Sequence, residues 1–141
     1  FSPGDGSALR GRLGWEDRLV LISTRAWERP YGIEAVVDGF ARAAARLPSL
    51  RLLMLGTGSL APVLRRRIEE ASLTDRVHFA GPVRLEDLPQ FYRAADVYLT
   101  ASLSDGSSVS LLEAMACGLP AAVSDIPGNR EWVSQEIFAL G

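Results

Sequence analysis

The sequence predicts an α/β domain built on a doubly wound parallel sheet. Short apolar runs alternate with amphipathic stretches along the chain, and the runs are continuously apolar instead of alternating. A strand that is apolar on both faces must be covered on both faces, which calls for helices on each side of a parallel sheet. The 141 residues, 48% hydrophobic and 23% charged, suit one domain with its own core. Right-handed crossovers between successive strands then wind the sheet in two directions.

The elements follow in order. Phe1-Ser2-Pro3-Gly4-Asp5-Gly6 reads as a linker, with residues 1–14 as linker remnant and lead-in and residues 15–141 as the domain. Leu19–Ile22 reads as the first strand. From Gly32 to about Leu47, Ile33, Val36, Val37, Phe40 and Ala44 recur at helical spacing, and Pro48 stops that helix. Leu52–Leu55 is the second strand, followed by Gly56-Thr57-Gly58 and a helix from about Ser59 to Ala71. Val77–Ala80 is the third strand, and Leu85, Leu88, Tyr92 and Ala95 mark one stripe of a helix from about Leu85 to Ala95. Val97–Thr100 is the fourth strand, a helix runs from about Ser108 to Cys117, and Pro120–Val123 is the fifth strand. A short helix near Asn129 to Val133 precedes a last apolar piece, Ile137–Gly141. Both ends look cut from something longer.

Composition narrows the chemistry. The net charge of −2 lacks the basic footprint of a nucleic-acid partner. No apolar run reaches the length of a membrane span, and no signal-peptide pattern opens the chain. One cysteine makes no internal disulfide, and one histidine makes no His-rich metal cluster. All 15 basic residues are arginine. Chemistry that requires a lysine, such as a Schiff base or a P-loop, is therefore excluded. Any anion must be held by guanidinium groups, backbone N–H or hydroxyls.

Ligands of such sheets bind at the carboxyl ends of the strands, near the point where strand order reverses. Thr24, Arg25, Glu28 and Arg29 follow the first strand, Gly56 and Gly58 the second, Gly81 to Arg84 the third, and Ser102 to Ser108 the fourth. Glycines and small hydroxyl residues with a few charges are what a phosphate-bearing ligand needs. Gly106-Ser107-Ser108 puts small side chains where a helix begins, so free amides there can face an anion. Glu113 lies in an otherwise apolar helix, Leu111 to Cys117, where a glutamate is rarely buried without a partner. Asp105 before that helix and Glu113 within it would bracket the anion. One carboxylate then serves sugar hydroxyls, the amides a diphosphate, and the other carboxylate a ribose diol.

Plainer readings compete. Ser110-Leu111-Leu112-Glu113 also matches a capping box, with Ser110 at the N-cap. Arg25 reads either as a phosphate clamp or as a surface ion-pair partner. Gly56-Thr57-Gly58 lacks the third glycine of a dinucleotide fingerprint and follows the wrong strand for one, but it suits a tight turn that lets a ligand approach the backbone. Arg65-Arg66-Arg67 reads as a solvated helix face, Cys117 as small core packing and His78 as structural. Trp27 borders the Arg25 loop and reads as core.

At this point the chain resembles the C-terminal, donor-binding domain of GT-B-fold glycosyltransferases of the group-1/GT4 family, over nearly its whole length. The most specific stretch is Asp105 to Pro120, which is similar to the family's paired-carboxylate motif, alanine-rich helix and Gly-x-Pro exit. Ser23-Thr24-Arg25, Gly56-Thr57-Gly58, Val77 to Val83 and Tyr92 to Val97 support it. Phe1-Ser2-Pro3 resembles the tail of the linker that joins two GT-B domains. The resemblance implies a Rossmann-like half of a GT-B fold. It implies transfer of a sugar from a nucleotide-diphosphate sugar, UDP foremost, with retention and without an obligatory metal or further cofactor. On these positions, Glu113 would hold the ribose hydroxyls and Asp105 the donor sugar. The amides around Ser107, Ser108 and Val109 would take sugar and diphosphate oxygens, with Gly106 in the same loop. Arg25 would bind the diphosphate and stabilise the leaving group, and the backbone of Pro82, Val83 and Arg84 would line the base. Asp105 stands where the family usually has glutamate and Ser107 where phenylalanine is common. The family's phosphate-binding lysine has no counterpart here, and Arg29 is the nearest cation in sequence.

The expected partners are a nucleotide-sugar donor and an N-terminal domain of the same protein, in the cytoplasm, with membrane association of the parent protein left open. The fragment alone is expected to bind nucleotide weakly and not turn over. Two alternatives stand beside this reading: a nucleotide-sugar epimerase of GT-B fold, and a non-catalytic nucleotide-binding α/β module.

Overall fold

A computed structural model describes residues 1–106, 108–133 and 139–140. Six parallel strands form one sheet: β1 (Leu19–Ser23), β2 (Leu50–Leu55), β3 (Val77–Gly81), β4 (Val97–Thr100), β5 (Ala121–Ser124) and β6 (Ala139–Leu140). Their spatial order is β3-β2-β1-β4-β5-β6, so direction reverses between β1 and β4. Of the last apolar piece, Ala139 and Leu140 pair with Val123 and Ser124, while Ile137, Phe138 and Gly141 lie outside the described residues.

The continuous apolar runs now have their reason. Leu52 and Met54 of β2 face a cluster with α2 (Ile33–Ala44) and α3 (Ala61–Glu70), which contribute Ile33, Val36, Val37, Phe40, Leu64 and Ile68. Leu53 and Leu55, the alternate residues, face a second cluster across the sheet. There Leu9 of α1 (Ser7–Leu13), Tyr92 of α4 (Leu88–Ala94), and Leu111 and Ala114 of α5 (Val109–Ala116) pack on Val20, Ile22, Tyr98 and Val123. Full burial of each large apolar side chain contributes about 1.5–3 kcal/mol, and both faces draw on it. Trp27 lies in the first cluster and its indole N–H donates to Leu55 O at 3.2 Å. Cys117 is buried in the second.

Three elements differ from the sequence expectation. Residues 7–13 form a helix that the reading did not predict. It carries only one buried residue, Leu9, and is tied down by Arg10, whose side chain donates to Ala94 O and Arg18 O and pairs with Asp96. The helix expected from Leu85 starts at Leu88, with Pro89 in its first turn. Leu85 is left exposed in a turn closed by Asp87 N to Arg84 O. The last short helix, α6, spans Pro127–Arg130 and not Asn129–Val133, because Pro127 suits a helix start.

Candidate functional site

Arg25 leaves β1 and Asp105 follows β4, the two strands that meet where the order reverses. The loops therefore open onto one crevice. Arg25 Nη2 lies 2.8 Å from Asp105 Oδ2, with both side chains only 15% exposed. Nη1 reaches Ser110 Oγ at 3.5 Å, so the guanidinium sits at the start of α5. Its plane rests on the Tyr31 ring, 4.3 Å from the centroid, an attraction that holds a cation without consuming its N–H donors. Arg25 Nε is buried and meets no acceptor among the described residues.

The start of α5 decides between the two readings of Glu113. Ser108 is the N-cap, and its Oγ accepts from Leu111 N at 3.2 Å. Ser110 is thus the second helical residue and Glu113 the fifth. The capping box, which needs glutamate at the third position, is not formed. Glu113 Oε2 instead accepts from the Tyr92 hydroxyl at 2.8 Å. Among the described residues, the amides of Val109 and Ser110 have no acceptor. Two unspent donors at the positive end of a helix form a place for an anion.

The loop carrying Asp105 and Gly106 is pinned from below. Ser124 Oγ donates to Ser102 O at 2.6 Å and Leu103 N to Pro30 O at 2.9 Å. Gly128 lies so close that a Cβ there would stand 2.5 Å from Asp105 O and 2.4 Å from Gly106 O. Tyr31 was not singled out from sequence; only its contacts reveal it. Ser107 lies outside the described residues.

Glu113 opens onto a cleft of about 310 Å³, lined also by Thr24, Leu55, Gly56, Pro82, Val83, Leu88 and Ser110. Gly56, Pro82, Val83 and Glu113 were expected to share a site, and the structure brings them together. Three expected residues it does not bring there. Gly58 is a crossing point: a Cβ would stand 2.3 Å from Trp27 O, so glycine is needed for the chain to pass. Arg84, expected to offer its backbone, follows Val83 but does not line the cleft, and its side chain pairs with Glu86 and Asp87. Arg29 opens the 3₁₀ turn Arg29–Tyr31, which carries it to a separate cleft with Gly32, Leu60 and Leu103. It therefore does not stand beside Arg25.

A larger cleft, about 570 Å³, lies between α2 and the ends of β4 and β5, lined by Asp38, Arg42, Ser102, Ser124 and Asp125 among others. It holds strand-end residues such as Ser102 and Leu103 but none of those assigned to the nucleotide sugar. The arginine run is less plain than expected: Arg67 ties α3 to Glu34 and Asp38 of α2, and Arg65 lies 4.4 Å over the Phe79 ring. Among the described residues no three His, Cys, Asp or Glu side chains converge as a metal site.

The family model for "Glycosyl transferases group 1" matches residues 17–139. The chain belongs to the group 1 glycosyltransferases. It is 35% identical over 133 residues to D-inositol 3-phosphate glycosyltransferase of Mycobacterium sp. (strain KMS), covering 91% of this chain and 30% of that protein. Among solved structures it is similar to Anabaena Alr3699/HepE in complex with UDP-glucose, with a TM-score of 0.84 and 26% identity over 96% of this chain and 37% of that one. It also shares its fold with the C-terminal domain of the group 1 glycosyltransferase LpcC of Francisella tularensis, with a TM-score of 0.82, 18% identity, and coverage of 96% and 73%. The chain spans about a third of the length of the curated relatives it matches. Its neighbours are GT-B glycosyltransferases, and the expected fold class holds. Among the described residues no helix is long and apolar enough to cross a membrane.

Proposed function

We propose that this chain is the donor-binding domain of a retaining glycosyltransferase that takes a sugar from a nucleotide-diphosphate sugar. The observation that carries it is that Arg25 and Asp105 pair beside the start of α5, whose Ser110 also lines the cleft that holds Glu113. In this reading the base lies along Gly56, Pro82 and Val83, and Glu113 accepts from the ribose hydroxyls. The diphosphate lies over the Val109 and Ser110 amides. Arg25 exchanges its carboxylate partner for phosphate oxygens, and its unpaired Nε supplies one more donor. Asp105, freed from Arg25, accepts from hydroxyls of the donor sugar.

The chemistry follows from charge. When the sugar–phosphate bond breaks, negative charge grows on the leaving diphosphate. A guanidinium and fixed amide dipoles already aimed at that point stabilise the charge with little reorganisation. Arg25 and the α5 amides do this in place of an obligatory metal. The acceptor would be held by an N-terminal domain of the same protein, so this chain alone binds nucleotide and does not turn over.

UDP is the proposed nucleotide, supported by the UDP and UDP-glucose complexes of HepE. Membership of a transferase family favours transfer over epimerisation and over a non-catalytic module. The single, buried Cys117 suits the reducing cytoplasm in which we place the activity. Calorimetric titration of the chain with UDP, GDP and ADP tests this reading. Saturable heat, tightest with UDP, is expected; no heat with any of them at millimolar ligand would overturn it.

A further inference from the structure

The Tyr92 side chain is fully buried, yet its hydroxyl reaches the site. It lies 2.8 Å from Glu113 Oε2, 3.2 Å from Thr24 Oγ1 and 3.3 Å from Ser110 O. A phenol has one proton to give. The shortest contact and the charged acceptor are the same atom, so that proton points at Glu113. The Thr24 hydroxyl, a donor itself, completes the phenol oxygen. The ring cannot turn away: Phe1 packs edge-on against it at 6.0 Å and Tyr98 lies at 6.3 Å. Burial raises the pKa of the phenol well above its ordinary value, so it remains a donor at every working pH.

Glu113 needs such a partner. It projects from a short helix into an open cleft, and a glutamate there samples several rotamers unless one oxygen is held. The Tyr92 bond holds Oε2, and among the described residues Oε1 has no partner. One carboxylate oxygen is therefore fixed to the protein while the other faces the cleft.

We propose that Tyr92, its hydroxyl bonded to Thr24, is a positioning residue that orients Glu113 toward a cis-diol, so that preference for ribose over deoxyribose depends on a residue that does not touch the nucleotide. This rests on the reading of Glu113 as the ribose contact. The bond is charge-assisted, and pre-orientation of this kind changes affinity by about tenfold.

The test is calorimetric titration of the full chain with UDP and with 2′,3′-dideoxy-UDP, for wild type, Glu113→Gln, Tyr92→Phe and the double variant. Wild type is expected to bind UDP about tenfold or more tighter than the dideoxy analogue, and Glu113→Gln to abolish that preference. Tyr92→Phe should weaken UDP by about tenfold and leave the analogue within twofold. The double variant should lose nothing beyond Glu113→Gln. If wild type shows no preference, the ribose reading of Glu113 falls, and this proposal with it. If Glu113→Gln abolishes the preference but Tyr92→Phe retains it, or weakens both ligands alike, only the proposal falls. Should Tyr92→Phe fail to fold, Thr24→Val gives the second arm: a smaller loss of preference in the same direction supports the proposal, and an unchanged preference contradicts it.

Discussion

The two helical layers on the sheet are similar in size and differ in what they bury. The α2/α3 layer packs aliphatic and aromatic carbon around Trp27, whose indole nitrogen donates to a main-chain oxygen. The α1/α4/α5 layer buries two phenols, Tyr92 and Tyr98, whose pKa values burial pushes upward. Above them it places Glu113 on α5, with Arg25 and Asp105 at the strand ends beside it. Buried polar groups cost stability unless paired. Two buried phenols beneath three charged side chains say that this layer was shaped by more than packing. The other layer serves as the scaffold that covers the opposite face of the sheet.

The comparison can be broken from either side. Phe40→Ala in the scaffold layer should cost about 3–5 kcal/mol of stability, seen in the urea midpoint, while UDP affinity of the folded protein stays within twofold. A large loss of affinity in that variant would mean that the layers are not separable. Arg25→Ala is expected to do the reverse. It removes charge-assisted donors worth about 1.5–3 kcal/mol to a bound anion, or roughly 10- to 150-fold in Kd. Its melting point should move less than that of Phe40→Ala.

Ser108→Ala sits between the two classes. Losing the N-cap should cost about 1 kcal/mol of stability. It should also weaken UDP several-fold, because the amides of Val109 and Ser110 are aimed by the turn that Ser108 closes. Equal stability loss with unchanged binding would separate the cap from the site.

The smallest expected effect is a pH slope. Burial holds the pKa of His78 below its ordinary value of about 6.5. Below about pH 6.5 the unfolded chain then takes up a proton that the folded chain resists, so stability falls on acidification through that range and is unaffected above it. His78→Gln should flatten the slope of urea midpoint against pH without touching UDP affinity.

How much of this was legible in the sequence depends on whether the signal was local. The strands were, because a strand covered on both faces must be apolar at every position, as Leu52 to Leu55 are. Glu113 was, since a lone carboxylate in Leu111 to Cys117 breaks its own helix pattern. Helix α1 was not: seven residues with a single buried leucine carry no periodicity, and the bonds of Arg10 that fix it join positions far apart in sequence. Tyr92 read as one more core residue because its ring is one; the work of its hydroxyl depends on α5 lying opposite. Arg29 read as a neighbour of Arg25 because it follows only four positions later, and the 3₁₀ turn at Pro30 undoes that nearness. The sequence cue for Gly58, a tight turn, is also the cue for a close ligand, and the structure fills the space with Trp27 O.

The most direct test follows the backbone amides of isotope-labelled protein by NMR as nucleotide is added. Nucleoside diphosphate seated at the start of α5 predicts that UDP shifts the resonances of Val109 and Ser110 together with Arg25 Nε–H, while uridine leaves those three in place and perturbs only Gly56 and Val83. UDP that leaves Val109 and Ser110 unmoved, or that shifts instead the residues around Asp38 and Arg42, would contradict the account.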